Sequence, residues 1–282
     1  MKMNLALFRW NCMRGLINSG KGYTTIVMAL LCLVLATSTS AAERKSLYFR
    51  AGAGIAFSEN ATFSDVDCHS VSPAALFGCI PGNDGRPIGA YGDFEKSVAL
   101  DIGVGYRWNS WLRTEVFFSY RPDFRFDGLS NFAQLEPTVH QGVEGDAQSV
   151  SVMVAGMVRP LSLFGAKKWF VDPFVMGGTG MANNRIRPMV FTFPDTETIT
   201  PNGSHTGFAW TVGGGFSFEL GKNVELEIIY RYTDLGQVET DVGTMNILNR
   251  STGEIINNSI TINGTKADLT VNETLLSIVW FF

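Results

Sequence analysis

The chain has 282 residues, 45% of them hydrophobic and only 17% charged, which supplies ample apolar surface and excludes an intrinsically disordered chain. Its 30 glycines and 21 phenylalanines in a background of so little charge point to β structure rather than a helical bundle. The net charge is −4, and removing Lys2, Arg9, Arg14 and Lys21 from the 22 basic residues leaves 18 against 26 acidic, about −8, which argues against nucleic acid as a partner.

Those four basic residues stand in a leader without a single acid; IVMALLCLVLA follows from Ile26 to Ala36, then TSTSAAE. Basic, apolar and small-residue segments in that order make a cleavable secretory signal over 1–42, with cutting expected between Ala42 and Glu43. The apolar core of about 11 residues is short for a bilayer span, and a retained anchor helix is the competing reading. Cys32 follows Leu30-Leu31 rather than a small residue, unlike a lipoprotein acylation site. GLINSGKG at 15–22 imitates a phosphate-cradling loop, but Gly22 stands where Ser or Thr would hold magnesium, and no strand precedes it. The remainder, 43–282, is expected to form one domain.

Period-two alternation begins at 46–57, where Leu47, Phe49, Ala51, Ala53, Ile55 and Phe57 share one face. The polar stretch that follows holds Cys68 and Cys79. In an exported chain they most simply form a disulfide that pins a loop. The sharper reading is a metal site with Asp65, Asp67 and His69, but the paired spacings zinc prefers are missing, so no metal is expected.

In VALDIGVGYRW, Val98, Leu100, Ile102, Val104, Tyr106 and Trp108 oppose Ala99, Asp101, Gly103, Gly105 and Arg107. Further strands are predicted at 111–121, 147–159, 169–182, 206–220, 224–233 and 269–282, eight in all. Long connections alternate with the short ones Asn109-Ser110, Pro160 to Lys168 and Gly221 to Asn223. That rhythm is an up-and-down barrel with one tight end and one end bearing large loops.

The second face carries Arg50, Arg107, Arg113, Arg121, Arg159 and Arg231 against Asp101, Glu115, Asp172, Glu219, Glu225, Glu227 and Glu273. Alternation alone does not say which face is inside. Trp108, Trp111, Trp169 and Trp280 at the short-turn ends match an aromatic girdle. A sheet surrounded by lipid must close, which requires the last strand to pair with the first. Trp280 and Phe282 then face lipid and Phe281 the lumen. The expected fold is all-β: an eight-stranded antiparallel up-and-down transmembrane β-barrel with four long outer loops and short periplasmic turns.

YFRAGAGIAF at 48–57, PFVMGGTGMA at 173–182, AWTVGGGFSFEL at 209–220, YRYTDLG at 230–236 and the terminal Phe282 resemble the small OmpA-like, opacity-type outer-membrane β-barrel family. The resemblance spans essentially all of 43–282. It implies residence in bacterial outer-membrane lipid and insertion by the outer-membrane assembly machinery, with the last strand, including Trp280 and Phe282, as the signal. It also implies a surface antigen or adhesin-like role rather than catalysis. Unlike longer members, the chain is expected to end at the barrel, without a peptidoglycan-binding domain.

Eight strands leave room inside for side chains alone, and charges of both signs are expected to pair there, giving a plugged lumen. Arg231 is expected to pair with Glu225, Glu227 or Asp101. Glycines such as Gly103 and Gly105 are read as room for large inward side chains. The loop segments Ala74 to Phe77 and Met189 to Phe193 offer apolar clusters for a host or surface ligand, or else pack on one another over the barrel mouth. A small ion or solute channel is the alternative function. A lipid A-modifying enzyme would need a serine, a histidine and a carboxylate together, and His69, His140 and His205 show no such spacing. No cofactor is expected.

Overall fold

The computed structural model describes residues 46–136, 141–164 and 171–282. The predicted signal with its Ala42/Glu43 junction, His140 and Trp169 lie outside the described residues. Among the described residues fourteen strands follow in chain order: β1 (Ser46–Ser58), β2 (Asn60–Asp65), β3 (Ala90–Phe94), β4 (Ser97–Arg107), β5 (Leu112–Ser130), β6 (Gly142–Val158), β7 (Val171–Ile186), β8 (Val190–Thr192), β9 (Thr196–Ile199), β10 (Gly203–Glu219), β11 (Val224–Glu239), β12 (Gly243–Asn249), β13 (Ile255–Ile262) and β14 (Thr265–Phe281). One helical turn, α1 (Pro160–Leu163), lies between β6 and β7.

Eight of the strands close a ring in the order β1, β4, β5, β6, β7, β10, β11, β14, and β14 returns to β1 with Phe281 opposite Tyr48 and Val271 opposite Ser58. Every neighbouring pair in the ring is antiparallel. Closure leaves no backbone edge for lipid to meet. The turns at one end are tight: Asn109 Oδ1 accepts the Trp111 and Leu112 N–H groups at 2.9 and 2.8 Å.

The two faces of the strands part as the alternation requires. Ile102, Val104, Val152, Val154, Phe216 and Ile278 are exposed on the outside, while Arg50, Asp101, Arg121 and Arg231 are buried within. Lipid is the only cover that suits such a continuous apolar belt. Trp108 and Trp280 mark its lower rim, Phe57 and Phe208 its upper one. At that upper rim the Trp210 indole donates to Asp234 and the Tyr230 hydroxyl to Asn272, an arrangement suited to an interface with one apolar and one wet side. Inside, Gly105 is required by close approach, since a Cβ there would stand 2.2 Å from the Tyr48 ring.

The strands run farther outward than the sequence predicts. β5 reaches Ser130 rather than 121, β6 begins at 142 rather than 147, and β11 reaches Glu239 rather than 233. Pairing slips between Arg121 and Phe124 and between Asp234 and Gln237, and each bulge shifts the phase of the alternation. Gly236 takes φ +75° within the second bulge, with its N–H on Asp234, a conformation glycine adopts without steric cost. Beyond the belt the ring continues, because β2 pairs with β14 and β3, and β3 pairs with β5. The β2–β3 hairpin thus takes over the place that β1 and β4 hold lower down. A further sheet, β8, β9, β12, β13, grows from the outer end of β6. Much of what the sequence suggests as loop is therefore strand.

Candidate functional site

Twelve of the thirteen inward charges expected from the sequence assemble into two neutral groups of six. In the first, Arg50 contacts Glu115 at 2.7 Å and Asp101 at 3.3 Å, Arg231 contacts Asp101 at 2.8 Å and Glu273 at 2.6 Å, and Arg121 contacts Glu273 at 2.8 Å. In the second, Arg113 contacts Glu227 at 2.5 Å, Arg107 contacts Glu225 at 2.6 Å, and Arg159 binds Glu225 and, at 3.4 Å, Asp172. Removing charges from water is costly unless each is paired and hydrogen-bonded. Hydroxyls on inward positions add further bonds, mostly in the first group: Ser277 with Arg50, Ser151 with Arg121, Ser119 with Arg231, Thr233 with Glu273 and, in the second, Ser217 with Glu225. Aromatic faces complete the packing, with the Arg107 guanidinium 3.6 Å from the Phe281 ring centre and Arg50 and Arg231 at 5.6 and 5.1 Å from that of Phe117. The supporting hydroxyls were not singled out in the sequence; their signal was position, small polar residues in phase with the charges.

One pairing is narrowed and one inward charge corrected. Of the three partners expected for Arg231, the structure selects Asp101 and adds Glu273, while Glu225 and Glu227 are not among its partners. Those glutamates lie four and six residues along the same strand, about 13 and 20 Å away at 3.3 Å per residue, whereas the β11–β14 register sets Arg231 opposite Glu273. Glu219 is exposed where β10 ends. It lines a cavity of about 560 Å³ at the periplasmic mouth, with Arg107, Lys222, Glu225 and Phe281.

Outward of the charges the lumen turns apolar. Phe63, Phe94, Phe124 and Phe126 are buried together, the Phe63–Phe126 ring centres 4.9 Å apart and the Phe94–Phe126 centres 5.3 Å. Val143, Ala147, Ile186, Leu235, Val238 and Leu269 fill the space around them. Above lies a roof in which Phe77 stacks on Phe132 at 5.4 Å and meets Phe191 at 6.0 Å, while Phe132 meets Phe193 at 5.8 Å. The apolar segments Ala74 to Phe77 and Met189 to Phe193 are consequently not open clusters. Phe77, Met189 and Phe191 are buried, because the outward extension of the strands creates an interior that these side chains fill.

On the outer surface Cys68 and Cys79 form a disulfide, so the cluster of Cys68, His69 and Cys79 offers no thiolate in this state. Burial raises the Asp65 carboxyl above its ordinary range, against the pull of the Gly78, Leu76 and Phe77 N–H groups. Asp84 accepts from Asn131 at 2.7 Å and from Arg86, and these bonds, that from Asn131 foremost, hold its carboxyl down to about 2. With the folded value depressed, the contribution of Asp84 to loop order is fully present above its ordinary value of 3.8 and is lost as pH falls through about 2. Amide protection at Arg86 and Gly89, compared between pH 5 and pH 2, should fall in the parent and not in Asp84→Asn.

A cleft of about 430 Å³ lies between Pro122-Asp123, Asp146, Arg185 to Pro188, Ser204 and Asp241. His205 faces Glu239 at 3.0 Å, and Ser204, one residue away on β10, points to the opposite face. His69 is exposed near Asp67. At His205 the structure therefore sets the serine apart from the histidine and carboxylate, and at His69 the neighbouring Ser70 hydroxyl donates to the Pro73 carbonyl at 2.6 Å. Trp280 and Phe282 are exposed on the outer side of the barrel and Phe281 is buried.

A family model for the outer membrane protein beta-barrel domain matches residues 28–262. Outer membrane protein PagN of Salmonella typhimurium strain LT2 is 22% identical over 222 residues, spanning 75% of this chain and 83% of PagN. Among solved structures, OprG of Pseudomonas aeruginosa is similar at TM-score 0.42 and 13% identity, over 85% of this chain and 97% of OprG. Neisserial surface protein A is similar at TM-score 0.34 and 16% identity, over 85% of this chain and 100% of that protein.

Proposed function

The chain belongs to the outer membrane protein β-barrel family, and from that premise we propose that it works at the cell surface, as a surface antigen or adhesin-like interaction protein with a closed lumen, rather than as a pore or an enzyme. The observation that carries this is the double filling of the barrel. Two neutral charge groups occupy its lower and middle parts, and buried phenylalanines occupy its outer part. A solute crossing the barrel would have to displace both.

The chain invests instead in the outward side. The ring extends past the lipid belt, the β8–β9–β12–β13 sheet projects from it, and the Cys68–Cys79 disulfide holds the first outer connection. Ile255 and Ile256 are exposed on β13, which suits contact with a partner more than solvation. Outer-membrane lipid covers the belt. A host or surface ligand engaged by the outer structure, insertion by the outer-membrane assembly machinery, and removal of residues 1–42 before insertion belong to the same proposal.

Planar-bilayer recording of the refolded protein tests the closed lumen. No steady conductance steps are expected from the parent protein. Large, reproducible steps would overturn the reading in favour of a channel. Cells displaying the parent, compared with cells displaying a variant in which 244–261 is replaced by a short turn, test the surface role. Adhesion to host cells should fall in the variant while the barrel still assembles, and equal adhesion would count against this sheet as the contact surface.

A further inference from the structure

The outer connection between β2 and β3 carries chemistry that the barrel does not use. Asp67, Cys68 and His69 follow the end of β2, and Cys79 approaches from the other limb of the connection. The two limbs are held together by more than the disulfide. The Asp65 carboxylate accepts the N–H groups of Leu76, Phe77 and Gly78 at 2.8, 3.0 and 2.7 Å, and the Phe77 side chain is buried in the aromatic roof. Val66 adds a backbone bond to Gly264 at 2.9 Å. Opening the disulfide would therefore leave Cys68 and Cys79 close to each other.

The donor atoms already have the spacing of a metal site. Cys68 Sγ lies 3.7 Å from His69 Nδ1, Cys68, His69 and Cys79 each offer a ligand atom within 4.8 Å of the others, and Asp67 Oδ1 lies 3.9 Å from His69 Nδ1. A tetrahedral zinc ion with Zn–S of about 2.3 Å and Zn–N of about 2.0–2.1 Å sets a sulfur and a nitrogen about 3.6 Å apart and two sulfurs about 3.8 Å apart. The Cys68-to-His69 edge is thus in place, while the sulfurs must separate and the exposed Asp67 side chain must swing in toward them. His69 and Asp67 have side chains 85% and 61% exposed, so a reductant and an ion reach the site directly.

We infer that reduction of Cys68–Cys79 converts this connection into a binding site for a thiophilic divalent cation of the Zn²⁺ type, with Cys68, Cys79, His69 and Asp67 as its ligands. Two equivalents of a low-molecular-weight thiol supply two electrons and two protons. The S–S bond breaks, each sulfur becomes a thiol, and the reductant leaves as its own disulfide. The cation then displaces the two thiol protons, because the thiolate is the ligand form. Two thiolates, one carboxylate and a neutral imidazole complete four-coordination. The oxidised loop has no thiolate to give, so its redox state selects between a cross-link and a metal site, and bound metal shields the sulfurs from re-oxidation.

The test is titration of the refolded protein in detergent with Co²⁺, then Zn²⁺, before and after treatment with a phosphine reductant. One Co²⁺ per chain should bind only after reduction, with thiolate-to-cobalt charge-transfer absorption and tetrahedral d–d bands that Zn²⁺ abolishes. Cys79→Ser should lose the signal. His69→Ala should weaken Zn²⁺ binding by at least the roughly tenfold that loss of an outer ligand partner costs. Far-UV circular dichroism verifies that each variant keeps its barrel. Equal binding by oxidised and reduced protein, absence of the charge-transfer band after reduction, or unchanged Zn²⁺ affinity in His69→Ala would each overturn the assignment.

Discussion

Arg231→Met should destabilise the barrel by about 3–5 kcal/mol, the loss typical of leaving a buried ion pair without one partner. Arg231 is fully buried and binds Asp101 through two nitrogens, at 2.8 and 3.0 Å, Glu273 at 2.6 Å and Ser119 at 3.3 Å. Methionine fills part of the volume and supplies no charge, so a neutral group of six becomes a group of five with an excess negative charge. Adding Asp101→Asn to the same chain restores neutrality, because Arg50 keeps Glu115 and Arg121 keeps Glu273. The double variant should recover at least half of the loss. Denaturant unfolding of the protein in lipid vesicles measures both. A loss below about 1 kcal/mol for Arg231→Met, the figure for exposed pairs, would mean that water reaches the charges and the lumen is not sealed at this level.

The need for such a network was legible before its wiring was. Val98 to Trp108 alternate without a break, and that pattern alone sets Asp101 and Arg107 on the face opposite Ile102 and Val104. Asp101 is among the partners expected for Arg231 but Glu273 is not, because Glu225 and Glu227 are near Arg231 in sequence yet far along an extended strand, while Glu273 becomes its neighbour only through the β11–β14 register. Strand ends were misjudged where bulges at Arg121 to Phe124 and Asp234 to Gln237 reverse the phase of the alternation. Periodicity there looks like its own termination. The sequence leaves open whether Phe77 and Phe191 face a ligand or pack over the barrel mouth for a related reason, since nothing local announces that the strands continue past the lipid belt and enclose them. The spacing of Cys68 and Cys79 was informative because an exported chain with two nearby cysteines has few other ways to use them.

The apolar half of the lumen yields the second large effect. Phe126→Ala should cost about 3–5 kcal/mol, the range for deleting a buried aromatic ring and leaving a cavity. Phe126 is fully buried, and its ring centre lies 4.9 Å from that of Phe63 and 5.3 Å from that of Phe94. Those neighbours sit on β2 and β3, which are fixed by pairing to β14 and β5, so the walls have little freedom to collapse inward. Phe208 provides the contrast, since it is 65% exposed on the outside of β10. Truncating it forfeits transfer of a ring from water to the bilayer, about 1.5–3 kcal/mol, but opens no void, because lipid chains flow into the space. The same substitution on the two faces should therefore differ by about 1–3 kcal/mol, the part that depends on a packed interior. Phe126→Leu, which keeps most of the volume, should recover much of the loss. Conductance should stay silent in Phe126→Ala, because the charge groups beneath still close the barrel. Equal losses for Phe126→Ala and Phe208→Ala would show that the outer half of the barrel is solvated rather than packed.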